Sequence, residues 1–338
     1  MKQFNENWPA IIKRAIEKAV DNLALSKEEA IELSFVKDKK ALYDGAHFLT
    51  RSFLGNAFDT CSIINVKCGA CPEDCKWCAQ SSHFSTGTDS YPLLDVSTCC
   101  DQAVYNRQQG IKRFSLVASG RGQSNSEIEK IAQIYEGIRK NTDIKCCASL
   151  GLLTEKQLSR LFQSGVTTYH CNLETAPRYF GKLVSTHSQE QKIRTIQNAR
   201  RVGMRVCSGG IIGMGEDMED RIDLALLLRQ LEIYSIPINV LQPIAGTPLE
   251  STPPLTEEEY LTSVAVFRYV CPRAFLRFSG GRALIPIPTV KKAMYIGINA
   301  AITGDLLTTP GARSKEDMAL IKEMEYLHEL PSYWEIPE

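Results

Sequence analysis

The residues of this 338-residue chain best equipped for chemistry are three cysteines, in the run Cys71-Pro-Glu-Asp-Cys75-Lys-Trp-Cys78. Proline and the short polar spacers make the run a loop. Three thiolates on one loop can hold three irons of a 4Fe–4S cube and leave the fourth iron without a protein ligand. An open coordination position is the mark of a metal site that does chemistry. The same spacing also suits a structural zinc ion, with Cys68 or His83 as the fourth ligand. Spacing alone leaves both readings open.

Twelve cysteines occur in all, at 61, 68, 71, 75, 78, 99, 100, 146, 147, 171, 207 and 271. Clustered thiols outside an oxidising compartment point to metal or redox chemistry rather than disulfides. So much free thiol suits an oxygen-poor setting. Isolated cysteines often only fill core space, the reading adopted for Cys99, Cys100 and Cys271. Cys146 precedes Cys147 in a strand-like run and so points to its other face; Cys171 alternates likewise with His170 and Asn172. Cys68 stays unassigned.

Loops of this kind need a scaffold. Short apolar runs at Ser62–Val66, Arg113–Val117, Ile144–Leu150, Thr167–Cys171, Met204–Ser208, Ile238–Leu241 and Phe275–Phe278 read as strands, with Ile296–Ile302 as a weaker eighth. Amphipathic helices lie between them. Thr154 with Gln157 is a capping box ahead of Leu158, Leu161 and Phe162, and Gly165 stops that helix. Ser126 with Glu129, and Thr256 with Glu259, repeat the start signal. Eight strand–helix units imply a parallel α/β fold, a (β/α)8 TIM-type barrel with its chemistry at the strand C-terminal ends. The expected organisation is a helical extension over 1–40, the barrel over 41–315, and a helix and tail over 316–338. Residues 251–255 are a proline-rich loop inside the barrel.

Lys+Arg and Asp+Glu both number 39, which excludes a strong electrostatic nucleic-acid footprint. No apolar run approaches the ~20 residues of a membrane span. The first residues lack the apolar core of a signal peptide, so a cytoplasmic location is expected.

Six segments together resemble the biotin synthase family of radical S-adenosylmethionine enzymes. They are NVKCGACPEDCKWCAQSS (65–82), YHCNLETA (169–176), VCSGGIIGMGE (206–216), PINVLQPIAGTPL (237–249), LRFSGGR (276–282) and LLTTPG (306–311). The likeness runs in order from about residue 40 to about 315. It implies that Cys71, Cys75 and Cys78 hold a 4Fe–4S cluster whose open iron chelates S-adenosylmethionine. One electron then breaks the sulfonium S–C5′ bond, and the 5′-deoxyadenosyl radical abstracts hydrogen so that sulfur enters dethiobiotin. By resemblance Trp77 lies against the adenine, Asn172 and Glu174 contact the nucleoside, and Gly210 and Gly213 belong to the cofactor-side loop. Asn239 and His170 fall beside the substrate. Without the resemblance, His170, Asn172 and Glu174 are only polar residues at period two on a strand end. The glycines do not form a GxGxxG dinucleotide motif. The resemblance further implies a homodimer, an electron donor such as flavodoxin or ferredoxin, and no side chain acting as acid or base.

Familiar members of the family carry an auxiliary 2Fe–2S cluster on three Cys and one Arg. Cys147, Cys207 and Arg277 match three of those ligands; the remaining Cys position holds Ser115. Cys61 stands where those enzymes carry Ser near the same cluster. One Cys lost and one gained imply a relocated set of Cys61, Cys147 and Cys207, as in an anaerobe-associated variant of the family. A four-iron auxiliary cluster with an additional sulfide is the favoured cofactor, and a 2Fe–2S cluster the alternative. Two other functions stay open: another radical enzyme on this scaffold, such as a maturase, and a zinc-stabilised binding module.

Overall fold

The computed structural model describes residues 7–304 and 314–327. The 306–311 segment lies outside them.

The chain opens with three helices, α1 (Ala10–Val20), α2 (Lys27–Ser34) and α3 (Lys39–Leu54). α1 buries one stripe, Ile11, Ile12, Ala15, Ile16 and Ala19, at helical spacing. α2 starts at a capping box of Ser26 and Glu29. The barrel follows, with strands β1 (Asp59–Lys67), β2 (Arg113–Ala118), β3 (Lys145–Ser149), β4 (Val166–His170), β5 (Arg205–Cys207), β6 (Gly210–Ile212), β7 (Ser235–Val240), β8 (Phe275–Phe278) and β9 (Ile298–Ile302). All pair in parallel, in the order β5-β4-β3-β2-β1-β9-β8-β7-β6, and a β5–β7 pairing closes the ring. β5 and β6 are two halves of one barrel strand, interrupted at Ser208 and Gly209. A Cβ on Gly209 would stand 2.0 Å from the Pro237 carbonyl oxygen, so only glycine lets the strands approach there. Eight barrel strands result.

Between the strands run α4 (Val96–Gln108), α5 (Asn125–Asn141), α6 (Glu155–Gln163), α7 (Pro177–Leu183), α8 (Gln189–Arg201), α9 (Met218–Gln230), α10 (Glu257–Val270) and α11 (Ile287–Ile296). α12 (Ser314–Glu323) comes last among the described helices. The period-two alternation of each strand divides two environments. On β2, Phe114 and Leu116 pack outward into the helix-covered core, while Arg113, Ser115 and Val117 face the barrel interior. On β3, Cys146 packs outward and Cys147 inward. Cys99, Cys100, Cys171 and Cys271 also lie in the apolar core. No described helix is long and apolar enough to cross a membrane.

The capping boxes at Thr154–Gln157 and Thr256–Glu259 form as expected. The box expected at Ser126 and Glu129 does not: α5 is capped by a box of Ser124 and Glu127, and Glu129 instead pairs with Arg160. Phe162 is 39% exposed rather than core. β7 starts at Ser235, upstream of the expected Ile238, because Pro237 sits inside the strand and disguises its first half. Ile296 ends α11, and β9 starts only after Gly297.

Candidate active site

The cluster loop leaves β1 at its C-terminal end and folds back on itself. The Cys71 amide donates to the Gln80 carbonyl at 3.0 Å, the Ser82 amide to the Cys71 carbonyl at 2.8 Å, and the Cys78 amide to the Cys75 carbonyl at 2.9 Å. Gly69 at φ +70° and Ala70 at φ +46° turn the chain into this loop, and a Cβ on Gly69 would meet the Asp89 carbonyl oxygen at 2.8 Å. The loop is latched to the α7–α8 connection. Ser185 and Thr186 donate backbone amides to Asp74, Thr186 Oγ1 donates to Glu73 Oε2 at 2.7 Å, and His187 Nδ1 pairs with Glu73. Burial pushes the Asp74 carboxyl up, but these donors hold it well below the ordinary range.

Cys71, Cys75 and Cys78 all line one cavity of about 410 Å³ at the C-terminal mouth of the barrel. That volume suits a cofactor-sized ligand with a small substrate. Burial pushes the Cys75 thiol far up and the Cys78 thiol to about 11. Thiols desolvated in this way lack only a cation to become thiolates, which fits a metal cluster. Neither alternative zinc ligand is positioned for one. His83 Nε2 lies 3.0 Å from the Pro72 carbonyl, Cys68 sits in a backbone pairing with Tyr91, and neither lines the cavity.

Trp77, Asn172, Glu174, Asn239 and His170 line the same cavity. Asn172 Oδ1 accepts from the Gly209 amide at 3.2 Å. Glu174 adopts φ +71° and pairs with Lys192 Nζ at 3.2 Å. Burial pushes the Lys192 ammonium down, and Glu174 together with the Cys171 and Cys75 sulfurs more than offsets this. Asn239 uses half its capacity on backbone: Nδ2 donates to the Gly210 carbonyl and Oδ1 accepts from the Gly280 amide, both at 2.9 Å. One donor and one acceptor remain for the cavity. Gly210 and Gly213 are not among the lining residues. A Cβ on Gly210 would fall 2.3 Å from the Glu174 carbonyl oxygen, so its role is close backbone approach. Gly213, at φ +91°, donates its amide to Glu216 in a turn.

Below the cavity lies a second, much smaller pocket lined by Asp59, Cys61, Arg113, Cys147, Thr168, His170, Cys207, Ser235 and Arg277 among others. The strand register explains why these residues meet. In a barrel with eight strands and a shear of 8, each strand is offset by about one residue, so alternate strands contribute to common layers. Cys61 is opposite Arg113, itself opposite Lys145; two residues on is Cys147. Cys147 is opposite Thr168 and then Arg205; two on is Cys207. Cys207 is opposite Ser235 and then Phe275; two on is Arg277. Arg277 is opposite Ala300 and then Asp59, and two on is Cys61 again. Cys61, Cys147, Cys207 and Arg277 are therefore one complete interior layer. By the same count Ser115, His170, Pro237 and Ile302 form the layer above, and all four line the upper cavity. Ser115 thus faces the cavity rather than sharing the cysteine layer.

Cys61, Cys147 and His170 offer ligand atoms all within 4.8 Å of one another. The neighbouring Cys61 side chain, with His170, holds the Cys147 thiol well below its ordinary range. Burial pushes the His170 imidazole down, but the Cys207 and Cys147 sulfurs raise it to about 10. Buried polar atoms with no hydrogen-bond partner cluster here: Ser115 Oγ, Thr168 Oγ1, His170 Nε2, Arg113 Nη2 and Arg277 Nε. Such atoms are rare in folded proteins and mark a place for a further polar group. The donor set, three soft thiols and an imidazole among cations, fits an iron–sulfur cluster.

Several of these residues carried no local signal. Asp59, Glu73, His187 and Lys192 matter through partners far along the chain. The only cue to Asp59 was a carboxylate leading an otherwise apolar strand.

Comparison with known proteins agrees with this geometry. Residues 66–228 match the Radical SAM superfamily, and residues 237–327 match the Biotin and Thiamin Synthesis associated domain. The chain is 62% identical over 309 residues to a biotin synthase of Porphyromonas gingivalis, covering 91% of this chain and 94% of that one. It is 53% identical over 324 residues to a biotin synthase of Parabacteroides distasonis, covering 96% and 99%. Among solved structures, the FeFe-hydrogenase maturase HydG from Carboxydothermus hydrogenoformans superposes with a TM-score of 0.77 at 17% identity, covering 94% of this chain and 78% of that one. Methylornithine synthase gives 0.76 at 16% identity, covering 92% and 95%. These two share the fold. The radical-enzyme cluster loop, the polar barrel floor and the extent of the sequence identity together establish that the chain belongs to the biotin synthase family.

Proposed function

We propose that this chain inserts sulfur into dethiobiotin at the 410 Å³ cavity, between a 4Fe–4S cluster on Cys71, Cys75 and Cys78 and an auxiliary cluster on Cys61, Cys147 and Cys207. The observation that carries the reading is the complete interior layer of Cys61, Cys147, Cys207 and Arg277 directly beneath that cavity. When bound, the loop cluster and S-adenosylmethionine supply a carbon radical, and the auxiliary cluster supplies sulfur.

The chain's own residues do the rest. The Glu73–Asp74 latch to Thr186 and His187 fixes the loop cysteines relative to the barrel. Trp77 offers an aromatic face for the adenine. Asn172, with the Glu174–Lys192 pair, presents polar groups to the nucleoside and its charged end. Gly210 and Gly213 shape the backbone behind them. Asn239 offers its spare donor and acceptor to the ureido group, which needs one of each. His170 stands on the floor between substrate cavity and cysteine layer. Three thiolates with one exogenous sulfide complete a four-iron cube, the form favoured here over 2Fe–2S. An external electron donor, a paired second copy of the chain and a cytoplasmic setting belong to the same reading.

Anaerobic iron and sulfide counts with Mössbauer spectra test it. Two four-iron clusters require about eight irons per chain, and a 2Fe–2S auxiliary cluster about six. Cys61→Ser should leave about four, still cleave S-adenosylmethionine and make no biotin, because a neutral hydroxyl is a poor iron ligand. Ser115→Ala should keep both clusters. Full iron and normal biotin formation in Cys61→Ser would end the relocated-ligand reading.

A further inference from the structure

Three thiols face one cluster site, and the layer they occupy supplies Arg277 as its fourth member. The structure does not leave Arg277 free to ligate. Its Nη2 donates to the Asp59 carboxylate and, at 3.5 Å, to Ser235 Oγ; its Nη1 donates to the Asp59 carbonyl at 3.3 Å and the Ala301 carbonyl at 3.1 Å. All four terminal N–H groups are thus taken. A guanidinium has no acceptor lone pair to offer a metal while it donates in this way.

His170 is placed in the opposite manner. It hangs from the layer immediately above, at the C-terminal end of β4, and reaches the lower pocket. Its Nε2 is buried without a hydrogen-bond partner. Its ligand nitrogen lies within 4.8 Å of the sulfurs of both Cys61 and Cys147. Thiolate–metal and imidazole–metal bonds are roughly 2.0–2.3 Å long, so a nitrogen this close to two cysteine sulfurs is within reach of the same metal site.

We propose that His170 is the nitrogen ligand of the auxiliary cluster, and that Arg277 is a pinned cation beside it rather than a ligand. His170 holds the iron position that the three thiolates leave open and yields it to the additional sulfide when that is loaded. The inference rests on the auxiliary-cluster reading given above. It also explains why a residue on the floor of the substrate cavity is an imidazole: the same side chain faces substrate on one side and iron on the other.

The test uses the full-length chain with Cys71→Ala, Cys75→Ala and Cys78→Ala, so that only the auxiliary site binds iron. The protein is reconstituted anaerobically with iron and sulfide, desalted, counted for both, and reduced. Pulsed electron paramagnetic resonance is then recorded on unlabelled, nitrogen-15 histidine-labelled and nitrogen-15 arginine-labelled samples, with no substitution in the auxiliary site. A strong nitrogen coupling should appear in protein without excess sulfide, change isotope with the histidine label alone, weaken on adding sulfide, and vanish in His170→Asn. A coupling that follows the arginine label, or the lack of any strong coupling in protein whose sulfide does not exceed its iron, would overturn the assignment. A chain that binds no iron at all would instead defeat the auxiliary-cluster reading itself.

Discussion

Replacing Asp59 by Asn should destabilise the chain by about 3 kcal/mol, the lower end of the range for breaking a buried ion pair. The Asp59 side chain is fully buried, and its carboxylate is shared by Arg113 and Arg277, themselves 6% and 2% exposed. Arg113 Nε reaches both carboxylate oxygens, at 3.1 and 3.2 Å. Asn keeps one acceptor oxygen, so one arginine retains a partner while the pair of cations loses its counter-charge. Cluster-free protein compared by urea unfolding, followed through tryptophan fluorescence, would show the midpoint falling by about 1 M at a slope near 3 kcal/mol/M. Adding Arg277→Met to the Asn variant removes one orphaned cation from an interior site, so the double variant should recover part of the loss. A single variant within about 0.5 kcal/mol of the parent, or a double variant weaker than both singles, would refute the claim that Asp59 balances the barrel floor.

Cys75→Ala removes a loop thiolate and should reduce 5′-deoxyadenosine formation to background; wild-type cleavage would make the loop cluster dispensable. Asn239→Ala leaves the ureido group unpaired at about 1–3 kcal/mol, or roughly 5- to 150-fold in dethiobiotin affinity, with far less effect on S-adenosylmethionine. Equal loss for both ligands in titration calorimetry would show that the broken Gly210 and Gly280 hydrogen bonds, not substrate contact, dominate. The Lys67 hydrogen bond, with the Ser124 cap, holds the Glu127 carboxyl down to about 2. A carboxyl depressed in the folded state stabilises above its unfolded value, near 4.3, and that stabilisation is lost as pH falls towards 2. Glu127→Gln should therefore cost roughly 0.5–1 kcal/mol at pH 7, given its partial exposure, and the difference should close by about pH 2. A gap that persists at pH 2 would remove charge as its cause.

The barrel was legible because its signal is local. Alternation on β2 and β3 separates interior from core within five or six residues, and the same alternation put Cys146 and Cys147 on opposite faces. Boundaries failed where two signals competed. Ser124 and Ser126 both precede acidic residues at the right spacing, and only Glu127 also finds Lys67 across the strand end. The cysteine set could be read by likeness. Its surroundings could not, because they are made by residues far apart: Asp59 meets Arg277 across 218 positions, and Asp74 meets Ser185 across 111. No window of sequence contains either pair. His170 was read as a substrate contact from its motif; its approach to Cys61 and Cys147 depends on barrel shear, which only the closed register reveals.

That shear also gives the exchange of Cys for Ser a physical meaning. Ser115 sits on the second barrel strand, in the layer with His170, while Cys61 sits on the first, in the layer with Cys147 and Cys207. A thiol at position 115 would draw the ligand set upward, across two layers and toward the substrate cavity. Moving it to position 61 gathers all three thiols in one layer and lowers that one ligand by about half of the two-residue step between like-facing side chains, ~3 Å at 3.3 Å per residue. The lower seat is the one where Asp59 already anchors two arginines beside the cysteines. It also keeps the thiols out of the level of Ser115 and His170 directly under the cavity. The relocation therefore sets the layer of Ser115, His170, Pro237 and Ile302 between the three thiols and the cavity.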